Sequence, residues 1–204
     1  MGNYHSCKFL VLAVAIMFSS PAIAQSSSAS TIKQVAVYHK TSSQELYDII
    51  VDADKHTAAT HPASGNVKYI DPATGKSHAK AQVGFDLNAF FLPDGTPGLV
   101  ARVLEIQPGK RIVFSWINVA WQIANTPSDI TTMPSIVVLE FKDNTVGAEV
   151  IMTQVDVPAY QIHMARSPFS ENGETAPLSE IVRVHWELAY WQPIRKYLEV
   201  VHNN

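Results

Sequence analysis

Apolar and polar residues alternate from Ile32 to Tyr38, with Gln34 out of step ahead of Val35 and Val37, and this period of two predicts a first strand. The period then lengthens. Ser42-Ser43-Gln44-Glu45 is a capping box, in which the serine hydroxyl and the glutamate carboxylate satisfy opposite orphan amides. Leu46, Ile49, Ile50 and Ala53 follow at helical spacing, so a short helix is predicted to about Val51. Asp52 or Asp54 caps a second short helix through Thr60, which Pro62 and Gly65 end. From there the chain reads as strands divided by turn chemistry: Asn66 to Ile70, Lys80 to Phe85, Ala89 to Leu92, Gly98 to Ile106, Arg111 to Val119, Ser135 to Phe141 and Ala148 to Val155. Pro108-Gly109 marks a hairpin, since proline presets one turn position and glycine supplies positive φ at the next. Such short connections imply an antiparallel meander. Pro158 to Ala176 has no regular period and is predicted to be a long loop. Pro177 then opens a helix to about Val201, apolar on more than half its circumference, with Pro193 expected to kink it. So apolar a helix belongs in a groove of the sheet, which makes the chain an α+β layer packing.

The N-terminus obeys another logic. A weakly positive head to Lys8, the apolar run Phe9 to Phe18 and the small-x-small site Ala22-Ile23-Ala24 are the three parts of a secretory signal peptide. The run is too short for a span, which needs about twenty residues. We therefore expect a signal peptide over 1–24, a polar tether over 25–30 and one domain over 31–204, exported to the periplasm or beyond the cell, with no membrane span left after cleavage. The only cysteine, Cys7, would leave with the leader, so the mature chain is expected to lack a disulfide, a thiol nucleophile and a thiolate metal site. With 47% hydrophobic and 16% charged residues the chain is expected to build a core, and its net charge of -3 gives no footprint for nucleic acid.

Several motifs occur in a telling order. Glu45-Leu46-Tyr47-Asp48 precedes Val51-Asp52-Ala53-Asp54-Lys55-His56 and Thr60; Gly84-Phe85 follows; then comes Ile106-Gln107-Pro108-Gly109-Lys110-Arg111-Ile112-Val113-Phe114-Ser115-Trp116. Val150-Ile151-Met152-Thr153-Gln154, Trp186 and Trp191-Gln192-Pro193-Ile194-Arg195-Lys196-Tyr197-Leu198-Glu199 complete the series. In this order the chain resembles the START-like (SRPBCC) superfamily over roughly residues 31 to 200, in the branch related to the C-terminal domain of heat-shock-protein-90 ATPase activators. The resemblance implies a helix-grip fold: a curved antiparallel sheet with two short helices and a long C-terminal helix closing a cavity. The segments 120–133 and 158–176 are longer than the family pattern, and an exported protein would not meet a cytosolic ATPase.

In that fold the aromatic residues of the strands and closing helix line or fill the cavity. The expected ligand-binding set is Phe85, Phe90, Arg102, Phe114, Trp116, Trp121, His185, Trp186 and Tyr190, taking a small apolar or amphipathic molecule. Arg102 and Tyr190 would meet an acidic or hydroxylated group. An enzymatic alternative, cyclase-like or hydrolase-like, uses His185 as acid or base with Asp86 or Glu105. A third reading fills the cavity and gives 120–133 and 158–176 to a protein partner. No cofactor is implied. His56 and His61, five apart, do not share a helical face as zinc pairs do, so no metal site is expected. No nucleophile elbow or phosphate-cradling glycine loop occurs.

Overall fold

The first alternating stretch becomes β1 (Ser30–His39), with its faces opposite to the apolar reading. Gln34 faces the core in register with Ile32, Ala36 and Tyr38, while Val35 is 53% exposed and Val37 39%. The reason is hydrogen bonding: Gln34 finds an indole and a helix carbonyl inside, described below. A computed structural model describes residues 29–61, 66–91, 97–116, 135–157, 161–163 and 175–203. The predicted leader, the tether to residue 28 and the segment around Trp121 lie outside the described residues.

α1 (Ser43–Val51) starts where expected, because Ser42 Oγ accepts from the Glu45 amide at 3.1 Å. The capping box is only half formed, since the Glu45 carboxylate turns away to His202 Nε2 at 3.0 Å. α2 (Ala53–Thr60) is capped by Asp52, whose carboxylate accepts from the Asp54 and Lys55 amides. Then follow β2 (Lys68–Ile70), β3 (Ser77–His78), β4 (Asp86–Phe91), β5 (Pro97–Gln107), β6 (Arg111–Trp116), β7 (Ser135–Asn144) and β8 (Gly147–Val157). The expected strand from Lys80 to Phe85 does not form. Gly84 at φ 89° turns the chain there, and only Lys80 makes an isolated bridge, to Asp52. The Pro108-Gly109 hairpin does form, with Gly109 at φ 68°.

These eight strands make one antiparallel, curved and unclosed sheet in the order β1-β8-β7-β6-β5-β4-β2-β3. The loop predicted over 158–176 contains a ladder instead. β9 (Gln161–His163) pairs antiparallel with β10 (Thr175–Pro177), too short a pairing to leave a period in the sequence.

The closing helix runs as α3 (Leu178–Trp186), a π turn (Glu187–Trp191) and α4 (Gln192–His202). The kink expected at Pro193 takes the form of that π turn, in which the Gln192 amide donates to the Glu187 carbonyl, five residues back. Proline cannot donate to the carbonyl four residues earlier, and its ring clashes with it, so the preceding turn widens. Widening turns three successive residues, Ala189, Tyr190 and Trp191, into the core. The concave face packs on α1, α2 and the closing helix, giving the α+β helix-grip arrangement. Among the described residues no helix is long and apolar enough to cross a membrane.

Candidate functional site

Between sheet and closing helix lies a set of touching aromatic rings. Trp186 is the hub: Trp191 stacks on it at 5.3 Å and 15°, with Tyr190 at 4.7 Å and Trp116 at 4.8 Å. Phe114 meets Trp116 edge-on at 6.3 Å. Offset and edge arrangements of this kind add about 1 kcal/mol per pair to burial. The Trp186 and Trp191 indoles are served from two inward-facing glutamines. The Trp186 indole N–H donates to Gln154 Oε1 at 2.8 Å, and the Gln154 amide donates to Ser135 Oγ at 2.7 Å. The Trp191 indole donates to Gln34 Oε1 at 3.2 Å, and Gln34 Nε2 donates to the Arg183 carbonyl at 3.0 Å. These bonds fix the helix to β1 and β8 as well as the rings.

A second polar group adjoins the rings on the α2 side. His56, fully buried, lies 5.7 Å from the Tyr190 ring. Its Nδ1 is 3.1 Å from the Ile50 carbonyl, to which the Tyr69 hydroxyl also donates. Burial pushes the His56 pKa down to about 4, only partly opposed by the Ile50 contact. Burial likewise lowers His185 to about 4 and raises the phenols of Tyr190 and Tyr69. Both imidazoles are thus neutral and both phenols protonated near neutral pH.

The fold is shared by solved structures. Protein SA2116 of Staphylococcus aureus matches with a TM-score of 0.57 at 9% identity, over 88% of this chain and 99% of that one. An HSP90 activator from Plasmodium falciparum, PFC0360w, matches with a TM-score of 0.52 at 16% identity, over 84% and 96%. Protein MLL2253 of Mesorhizobium loti matches with 0.52 at 13%, over 83% and 97%. The chain has the helix-grip fold. No protein-family model matches the chain, and no curated protein does. These identities establish the fold alone.

Within this helix-grip frame the nine expected ligand residues separate. Phe114, Trp116, Trp186 and Tyr190 come together under the closing helix. Phe85 is half-buried with its ring tilted against His78 at 4.6 Å, and His185 is half-buried on α3. Phe90 falls on β4, where only the backbone is described, and Trp121 lies outside the described residues. Arg102 points away from the grip, since Ala101 and Val103 beside it take the inner face, and its guanidinium holds Asp86 at 2.6 and 3.1 Å. Glu105 also lies on the outer face, 2.7 Å from Gln107 Nε2 and 3.6 Å from Arg111. The sheet therefore separates both carboxylates from His185, and the predicted proton-transfer pair does not converge.

Sequence reading missed Gln34, Gln154 and Ser135, and weighed His56 only as a metal ligand. A signal existed for Gln154: it continues the period-two row of Ala148, Val150 and Met152, where only a partnered amide can be buried.

Proposed function

We propose that this is an exported START-like protein that holds one small apolar or amphipathic molecule against the Trp116–Trp186–Tyr190 surface. The observation that carries the reading is the placement of those rings. Trp116 ends β6 and Ser135 begins β7, so the rings stand at the ends of these two strands. The Trp186 indole, its N–H already held by Gln154, offers a polarizable apolar ring face to such a molecule. The middle of the grip is occupied by rings in mutual contact, and in this reading the ligand lies at the β6–β7 end of the sheet. Support for export is the three-part leader over 1–24.

Energy transfer tests the reading. N-phenyl-1-naphthylamine, an apolar fluorophore excited by nearby indoles, should quench tryptophan emission saturably at one equivalent, and Trp116→Phe should weaken that transfer. A response linear in probe, unaffected by the substitution, contradicts it. Cleavage before Gln25 should appear as that residue's being first in the exported protein.

The filled middle also favours a second reading, a protein-interaction module. There segments 120–133 and 158–176 hold a partner and the rings serve only as core.

A further inference from the structure

Two buried polar atoms beside the rings have no hydrogen-bond partner among the described residues: Nε2 of His56 and the hydroxyl of Tyr190. The residues are 1% and 2% exposed, and their rings are 5.7 Å apart. Buried polar groups are nearly always satisfied, so such a pair calls for an occupant. The geometry fixes what each atom offers. The Ile50 carbonyl can only accept, so the Nδ1 that faces it at 3.1 Å carries the proton, and Nε2 of the neutral ring presents a lone pair. The Tyr190 phenol is protonated and can donate. Tyr190 is also turned inward by the π turn, a feature that concentrates at functional sites, and it touches both Trp186 and Trp116.

We propose that His56 Nε2 and the Tyr190 hydroxyl form an interior subsite for a neutral hydroxyl group, the polar end of an otherwise apolar ligand. Nε2 accepts the ligand's O–H while the Tyr190 O–H donates to the same oxygen. A ketone leaves Nε2 without a donor, and a carboxylate sets its charge against the lone pair, so the pair selects alcohols. The inference rests on the ligand-binding reading above and specifies its substrate class.

The test uses the full chain with 15N-labelled histidine and three six-membered probes: cyclohexanol, cyclohexanone and methylcyclohexane. Cyclohexanol should shift the His56 Nε2 resonance saturably, and the other two should not. Tyr190→Phe, which keeps the ring stack, should weaken cyclohexanol about tenfold and leave methylcyclohexane unchanged. An equal Nε2 shift from cyclohexanone or methylcyclohexane overturns the subsite. So does a bound water that stays in contact with Nε2 at saturating cyclohexanol. Probes that perturb Trp186 without reaching His56 overturn the subsite alone; probes that perturb neither overturn the ligand-binding reading with it.

Discussion

Gln154 serves the Trp186 indole and the Ser135 hydroxyl at once. Gln154→Leu keeps most of the volume and strands the indole N–H, so it should cost about 2 kcal/mol, while Ser135→Ala costs about 1 kcal/mol. Urea unfolding of the two variants checks the order, and a neutral Gln154→Leu contradicts the account. His56 sets a pH dependence. Its pKa is depressed from 6.5 to about 4 in the folded state, so between those values the unfolded chain binds a proton that the folded one refuses. Stability is whole above pH 6.5 and declines as pH falls to about 4, and a shift of this size corresponds to about 3 kcal/mol. His185 acts in the same direction. Urea midpoints at pH 7 and pH 4.5 should differ accordingly; equal midpoints contradict a neutral buried imidazole.

At the level of elements, the closing helix and the β1–β8 ladder hold the grip. A Cβ on Gly147 would stand 2.1 Å from the Tyr38 carbonyl oxygen, so Gly147→Ala must part the end of that ladder. The expected loss is about 2 kcal/mol or more, with hydrogen exchange rising first at His39 and Lys40. Pro193→Ala returns an N–H to the helix and should let the π turn close to α. The near-parallel Trp186–Trp191 stack would then lose its geometry, visible as a changed near-ultraviolet circular dichroism; an unchanged spectrum means that packing, not proline, opens the turn. Elements with local signals were legible in advance: the Ser42 and Asp52 caps, the Pro108-Gly109 hairpin and the apolar closing helix. Those decided by distant partners were not. The face of β1 depended on what Gln34 would find 157 residues away, and the Gly84 turn and the β9–β10 ladder depended on tertiary contacts. The same limit applied to the site. Aromatic residues announced the grip, whereas Arg102 was drawn outward by Asp86.

On the scale of the whole molecule, an unclosed sheet wraps on a long helix, and in the proposed reading its described core serves twice, as the source of stability and as the wall of a ligand site. The described aromatic rings, the two glutamines and the His56–Tyr190 pair belong to one continuous interior. Its apolar end lies at Trp116, the last residue of β6, and the polar pair lies towards α2. The most direct measurement is native mass spectrometry of the protein purified gently from its exported fraction. The account predicts a mass above that of Gln25–Asn204 by one small apolar or amphipathic molecule, released on collisional activation. Repeated preparations at the bare mass, joined by no saturable uptake of an added alcohol, would contradict it.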